Sequence, residues 1–542
     1  MNTNDQPQER SGGQLLMAAL SAHGVDTVFG IPGTHNLGIF AAMDDHGIRN
    51  VTTRHEQGAG YAADGYARSS GRVGVVVTTT GPGATNAATA LGQAYSDSVP
   101  VLLIAPGVPT DHPSDGDGLL HEQVDQRATL AGVVRQSHRV QSLAEIPTAV
   151  ARAFARMGHG RARPEYLEIP LDLIDAQGNV ADVAPLAPAA PVVPAEAQIK
   201  SAAEALSGAE KLLIIAGGGA ANAGDQVAAV AEYFDAPVIT STNGKGTLPE
   251  DHPLALGAGM QIDAFPGLVE SVDAVLAIGT ELASADWFGR YPDFPATFVR
   301  IDVDPTGLLT NVAPSHALLG DSAETLRLLL EALPAREGAS EPRSQTELKE
   351  RFSQAQEASA EAWMESFRSL NEVLPAETVI AADNAMSAYN GAVPAIRLHR
   401  SRSFLFPTGF GTLGYGLPAG IGAKVASPET PVVVLQGDGG MMFVIGELAA
   451  AAEAGLGLPV IIYDNGGYGE IRNEMDDRGD RVHSVALRSP DFPAMAEAMG
   501  CHGVHLSDPT ELGRTVLQAL EADRPTVIHV IEHSRAAAGM RS

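Results

Sequence analysis

Short, almost wholly apolar runs alternate along the chain with longer Ala-rich stretches, a pattern that predicts strands and helices in turn. Residues 432–435 read Val-Val-Val-Leu and 459–463 read Pro-Val-Ile-Ile-Tyr; runs with no polar position suit strands buried on both faces of a parallel sheet. Between them, 447–454 is rich in strong helix formers, which makes the unit strand–helix–strand. The same reading places strands at 25–31, 73–79 and 99–105, at 212–216, 274–278 and 297–303, and at 378–382 and 526–531. Each group describes an α/β unit with a doubly wound parallel sheet. Two breaks separate three such units. Residues 181–197 are Ala/Pro-rich, with Pro185, Pro188, Pro191 and Pro194 at regular intervals, and suit an extended polyproline-like linker. Residues 334–355 open on a polar stretch carrying Pro, Gly and Ser, the second linker. The units are then 1–180, 198–333 and 356–542.

Composition narrows the class. A chain of 542 residues has room for about three domains, and 44% hydrophobic residues can fill their cores. The net charge of −30, from 35 basic and 65 acidic residues, argues against nucleic acid or an anionic membrane surface as partner. The single cysteine, Cys501, excludes an intramolecular disulfide or thiolate cluster and fits a reducing compartment. Residues 1–10 are polar with no apolar signal core, and no run of about 18 apolar residues occurs. The expectation is a soluble cytoplasmic protein acting on a small molecule.

Candidate chemistry concentrates where strands end. Gly437-Asp438-Gly439 closes one strand and Asp464-Asn465 the next, so a single strand–helix–strand unit brings Asp438 and Asn465 to the same carboxyl edge. One carboxylate, one amide oxygen and nearby carbonyls form a hard-oxygen set suited to Mg²⁺ or Ca²⁺ carrying a diphosphate. Gly439 and Gly440 open the following helix and leave N–H groups bare for phosphate oxygens. In the first unit, Gly30-Ile31-Pro32-Gly33-Thr34 ends a strand in a tight turn. Arg54-His55-Glu56-Gln57-Gly58-Ala59 begins a helix, and Thr80-Gly81-Pro82-Gly83-Ala84-Thr85-Asn86 is a strand-to-helix turn whose glycines admit a flat ligand. Gly409-Phe410-Gly411-Thr412-Leu413-Gly414-Tyr415-Gly416 stands in the third unit.

In this order, and over essentially the whole chain, these motifs resemble the acetolactate-synthase-like branch of thiamine-diphosphate (ThDP) enzymes. The resemblance implies a fold of three doubly wound parallel-sheet domains: pyrimidine-binding, central Rossmann-like and diphosphate-binding. It implies ThDP and Mg²⁺ as cofactors, a 2-oxo acid substrate, and a homodimer or homotetramer, because Glu56 and the metal motif come from different subunits in the family. A 2-oxo acid loses CO₂ only if an electron sink receives the charge left behind, and the thiazolium of ThDP is such a sink. Glu56 matches the glutamate that shares a proton with the cofactor's pyrimidine, and burial is expected to raise its pKa. Leu413 matches the apolar residue that bends the cofactor, and the Gly411 carbonyl the acceptor of its amino group. The other matched cofactor positions are Pro32, Gly33, Pro82, Asn86, Asn384, Gly437, Gly439, Gly440, Met441 and Tyr468; the metal positions are Asp438, Asn465 and Gly467.

The chain departs from acetolactate synthase proper in its first unit. A Phe-Gln-Glu element there is replaced by Leu120-His121-Glu122, followed by Asp125-Gln126. A histidine can return a proton after decarboxylation and release an aldehyde; a glutamine cannot. His121, Thr34 and Gln126 are therefore catalytic candidates, and His35 a further substrate-side candidate. In the third unit Glu470 and Glu474 stand four apart on one helical face and would receive a cationic substrate tail, unless they are solvated. This combination is most similar to the 2-ketoarginine (5-guanidino-2-oxopentanoate) decarboxylase subgroup. The alternatives are an acetolactate-synthase-type carboligase and a non-catalytic member of the family; retention of Glu56, Asp438 and Asn465 speaks against the second. In the middle unit, Gly217-Gly218-Gly219 ends a strand as a dinucleotide-binding turn would, and acetolactate synthases bind FAD in this domain; FAD is kept as a less favoured cofactor, because the strict G-x-G-x-x-G spacing with a following acidic residue is not plainly present.

Overall fold

The computed structural model describes residues 9–532 apart from 114, 188, 288–290 and 336–344. Three six-stranded parallel sheets form its frame. The first consists of Thr27–Gly30, Arg49–Thr52, Gly74–Val77, Val101–Gly107, Gln136–Arg139 and Glu165–Pro170, in spatial order second, first, third, fourth, sixth, fifth. The third sheet repeats that order with Val379–Ala382, Phe404–Leu405, Val432–Gly437, Pro459–Asp464, His502–Leu506 and Thr526–Ile531. The second runs third, second, first, fourth, fifth, sixth through Leu212–Ala216, Val238–Thr240, Ala255–Ala258, Ala274–Ile278, Thr297–Asp302 and His316–Leu319. All the strands expected from the apolar runs are present, their ends shifted by two residues at most. The reason is burial: Val432, Val433, Val434, Val460, Ile461 and Ile462 are wholly inaccessible to solvent.

Each order contains a point where the winding reverses, and there the carboxyl ends of neighbouring strands open a crevice. In the first sheet Pro32-Gly33 and Thr78–Gly81 follow the two strands at that point; in the third sheet Asp383 and Asp438 do.

Packing gathers the chain into two compact units. One takes the chain up to Ala189 together with Pro418–Pro428 and Val444–Leu456; the other takes Ala190–Leu417, Glu429–Phe443 and the chain from Gly457 onward. The first holds the first sheet, and the second holds the other two. In the first unit the helix Glu56–Ser70 lies directly on the helix Gly416–Ala426. A Cβ on Gly65 would fall 2.1 Å from the Ala419 carbonyl oxygen, and one on Gly422 would fall 1.8 Å from that of Ala62, so glycine is required on both sides. No helix or strand occurs among the described residues of 179–195. The helix Thr346–Ser359 occupies the latter part of the segment read as the second linker, whose residues 336–344 lie outside the described ones. Among the described residues no helix is long and apolar enough to cross a membrane.

Candidate active site

The crevice of the third sheet gathers most of the expected metal and cofactor residues. Asp438 opens the helix Asp438–Val444 and is almost fully buried. The Asn465 N–H donates to its Oδ1 at 3.4 Å, and the Ser489 hydroxyl donates to its Oδ2 at 3.3 Å. Ser489 also donates to Asp464 Oδ1 at 2.7 Å, and His529 Nε2 lies 2.9 Å from Asp464 Oδ2. Burial first, and then the neighbouring Asp464 charge, push the Asp438 carboxyl up to about 7. Burial acts on Asp464 in the same sense, but its bonds from His529 and Ser489 hold it below the usual range. Asn465 Oδ1 is buried with no hydrogen-bond partner. A desolvated carboxylate beside an orphaned amide oxygen fits a hard divalent cation, which would satisfy both.

The glycines around this pair are set by close packing. Gly467 has φ +129°, and a Cβ there would fall 2.3 Å from the Val485 carbonyl oxygen. At Gly440 a Cβ would fall 1.9 Å from Asp383 Oδ2. Tyr468 packs its ring against Gly439, Gly437 faces Ala385, and Met441 is wholly buried. Across the crevice Asn384 Nδ2 donates to the Gly411 carbonyl at 2.8 Å, Gly411 itself having φ +65°. That carbonyl keeps a second lone pair for a ligand amino group. Leu413 is half-buried.

Asp383, which sequence reasoning missed, organises this turn. It is fully buried, its Oδ1 accepts from the Tyr415 N–H at 3.0 Å, and Gln436 donates to its Oδ2 at 2.6 Å. Burial raises it to about 6 against the opposing pull of the Gly414, Tyr415 and Asn384 N–H groups. The signal available was a carboxylate directly after an apolar strand, next to the singled-out Asn384.

Glu470 and Glu474 lie on the helix Gly469–Asp477 of the same unit but differ in setting. Glu470 is half-buried and bonded to the Tyr389 hydroxyl; Glu474 is exposed. Burial raises the Glu470 carboxyl, the Tyr389 bond opposes it, and the charges of Glu474 and Asp477 add to the rise.

In the first unit Glu56 is the first residue of its helix, half-buried, and accepts from Asn86 Nδ2 at 2.9 Å. Its helix start is pinned by a residue no motif indicated. Glu447, 1% exposed, accepts from the Arg54 N–H at 3.0 and 3.1 Å and from the His55 N–H at 3.0 Å. Burial pushes the Glu447 carboxyl up to about 7, against those backbone bonds. A Cβ on Gly58 would fall 2.4 Å from Glu447 Oε1, so the helix offers a notch for it.

Around Gly81 the structure brings three other candidates together. Gly81 has φ +65°, and a Cβ on it would fall 2.3 Å from the His121 carbonyl oxygen. Gln126 is buried and fully committed: its Oε1 accepts from the Gly81 N–H at 2.6 Å, and its Nε2 donates to the Pro106 carbonyl at 2.8 Å and the Tyr166 hydroxyl at 2.6 Å. That amide shapes the turn and has no donor left for a substrate. His121 adopts φ +66°, a strained choice for a residue with a side chain. Its ring stands edge-on to His35 with centroids 5.2 Å apart, and Nδ1 of both rings is buried without a hydrogen-bond partner. Burial, then the charge of His121, lowers the His35 pKa. The Gly33 N–H donates to Asn36 Oδ1 at 2.7 Å, while Pro32, Thr34 and Pro82 are exposed.

The glycines of the middle unit have a packing reason. A Cβ on Gly217 would fall 2.4 Å from the Gly279 carbonyl oxygen, and one on Gly219 would fall 2.8 Å from Gly279 Cα, so two loops touch there.

Three family descriptions match the chain in succession: thiamine pyrophosphate enzyme, N-terminal TPP binding domain, over residues 10–129; its central domain over 199–329; and its C-terminal TPP binding domain over 387–530. A probable 2-ketoarginine decarboxylase of Pseudomonas aeruginosa is 40% identical over 97% of this chain and 95% of its own. A probable acetolactate synthase large subunit of Methanocaldococcus jannaschii is 32% identical over 96% of this chain and 91% of its own. The acetolactate synthase isozyme 2 large subunit of Escherichia coli is 31% identical over 96% and 95%.

Proposed function

The chain belongs to the thiamine pyrophosphate enzyme family, and we propose that it decarboxylates a 2-oxo acid with a cationic tail, such as 2-ketoarginine, to an aldehyde. When bound, ThDP supplies the electron sink for the charge left as the C1–C2 bond breaks. Asp438, Asn465 Oδ1 and the Gly467 carbonyl would hold Mg²⁺ on its diphosphate, with the glycine-rich helix start supplying N–H groups. Glu56 would hold a proton toward the pyrimidine, with Asn86 fixing one carboxylate oxygen and Glu447 fixing the backbone that carries it. Gln126 is a positioning residue, keeping the Gly81 turn in shape.

The observation that carries the aldehyde outcome is the pair of imidazoles, His35 and His121, each with a buried, unpartnered Nδ1. His121 is the better placed of the two to return a proton to the carbon that lost CO₂, which would end the reaction as aldehyde release, since the lowered pKa of His35 favours its neutral form. The half-buried Glu470, backed by Tyr389 and flanked by Glu474, supports a guanidinium tail. The P. aeruginosa relative is named for that substrate. The acetolactate-synthase relatives favour a second reading, carboligation of two 2-oxo acids. Product analysis with 2-ketoarginine and with pyruvate, in the presence of ThDP and Mg²⁺, separates them: aldehyde supports the proposal, and acetohydroxy acid as the main product sinks it. The active enzyme is proposed to be a homodimer or larger, with Glu56 and the metal residues drawn from different subunits.

A further inference from the structure

A second, separate cluster of metal-ligating groups stands in the loop between the strand Val101–Gly107 and the helix Gln126–Ala131. His112, Asp117 and Glu122 each bring one ligand atom to within 4.8 Å of the other two. His112 Nδ1 lies 2.9 Å from the Pro113 carbonyl oxygen, which can only accept, so Nδ1 carries a proton and Nε2 is the nitrogen turned to the cluster. The His112 side chain is 9% exposed, and its Nε2 is buried with no hydrogen-bond partner. That nitrogen is 3.3 Å from Asp117 Oδ1 and 3.3 Å from Glu122 Oε1.

A ring nitrogen facing two carboxylate oxygens calls for positive charge between them, supplied by a second ring proton or by a metal ion. The distances fit a metal ion. Ligand atoms about 2.0–2.1 Å from a tetrahedral ion are separated by about 3.3–3.4 Å, the edge of the tetrahedron. The His112 bond to Pro113 is the outer-shell support that metal-bound imidazoles usually have. Glu122 is held in the same manner: its Oε2 accepts from the Gly118 N–H at 2.7 Å and the Leu119 N–H at 3.1 Å, leaving Oε1 turned to the cluster. Gly116, with φ +75°, has no side chain to interfere; a Cβ there would fall 2.2 Å from Glu122 Oε1.

We propose that His112, Asp117 and Glu122 bind a divalent transition-metal ion, Zn²⁺ by the mixed nitrogen and oxygen donors, with water at the fourth position. Mg²⁺ is the wrong ion for this set, because it prefers oxygen donors and resists losing its waters. The site is distinct from the hard-oxygen pair Asp438 and Asn465. It would brace the loop that carries His121, the residue just before Glu122, whose strained backbone lies beside Gly81.

The full-length protein, freed of metal by chelator dialysis and then saturated with ThDP and Mg²⁺, is titrated with Zn²⁺ by calorimetry and with Co²⁺ by visible absorption. One Zn²⁺ per chain at micromolar affinity or better is expected, with the intense visible bands of tetrahedral Co²⁺. His112→Ala should weaken this at least about 100-fold, and Glu122→Gln should weaken it about tenfold or more while retaining the side chain's shape. Zn²⁺ should also slow proteolysis within residues 109–125 in the parent and not in His112→Ala. Two results overturn the proposal: no stoichiometric Zn²⁺ binding by the parent, which leaves the cluster as a protonated histidine paired with two carboxylates, or equal binding by the parent and both variants, which puts the ion elsewhere.

Discussion

Replacing Glu447 by Gln tests whether a buried carboxylate under strain holds the start of the Glu56 helix. Both side chains have the same shape, but only glutamate titrates. Burial raises the folded-state pKa of Glu447 from the ordinary 4.5 to about 7, so the sign is that of a raised acid. Its contribution is fully present below 4.5, where it is protonated, and is lost as the pH rises through about 7. Between about pH 5 and about pH 8 the loss relative to the Gln variant is about 2.5 kcal/mol, or close to two decades in a local opening constant. The assay is amide hydrogen exchange by mass spectrometry on the peptide spanning residues 53–60, which contains both N–H groups that Glu447 accepts from. At each pH the ratio of parent to variant cancels the intrinsic exchange rate. The variant should match the parent at the acid end and become the better protected of the two at the alkaline end. A ratio that stays constant, or that moves toward the parent as pH rises, would refute the reasoning.

Four other outcomes follow from the site. Glu56→Gln should retain ThDP and Mg²⁺ binding and lower turnover at least about 100-fold; near-normal steady-state rates would remove its proton role. Asp438→Ala should abolish tight ThDP binding, because the diphosphate loses its bridging cation, and calorimetry showing unchanged affinity contradicts that. Glu470→Gln should raise KM for 2-ketoarginine about tenfold or more and barely touch pyruvate, since a charge-assisted bond to a half-buried group is worth about 1.5–3 kcal/mol; the exposed Glu474 should give the smaller effect, and equal effects on both substrates count against tail recognition. Mixing Glu56→Gln with Asp438→Ala subunits should restore up to about a quarter of parental activity if each site draws on two chains of a symmetric dimer, whereas no recovery after exchange places both groups of a site in one chain.

The central strands of all three sheets were legible because a strand buried on both faces must be apolar throughout, as Val432–Gly437 and Pro459–Asp464 are until their last residues. Some of the strands left unread follow from the same rule, though not the interior, buried Val238–Thr240, which is simply too short a run. Gln136–Arg139 and His502–Leu506 are edge strands, half-exposed, with no apolar signature. Glu165–Pro170 is interior and wholly buried, yet carries two glutamates. Arg156 and Arg139 neutralise them from 9 and 29 residues away, which no local pattern reveals. The proximity of Asp438 and Asn465, the proposed metal pair, was readable because they follow or end adjacent strands. Asp383 and Glu447 were not: each looks ordinary in its own segment, and each is defined by backbone N–H groups elsewhere, those binding Glu447 lying almost 400 residues upstream.

The division of the chain into two units has a consequence for biosynthesis. Pro418–Pro428 and Val444–Leu456 pack into the first unit, although most of that unit is already translated by Ala189. The bed for the glycine-faced helix Glu56–Ser70 and the carboxylate that pins its first turn therefore leave the ribosome only after more than three-quarters of the 542 residues have been made. Until then Ala62 and Gly65 lack the helix that covers them and the Arg54 and His55 amides lack their carboxylate, and contacts this distant in sequence close slowly. An expression fragment that stops near Ala189 should thus be aggregation-prone where a self-contained α/β domain would not be. A split of the gene that leaves both halves foldable has to fall elsewhere than at the Pro-rich linker.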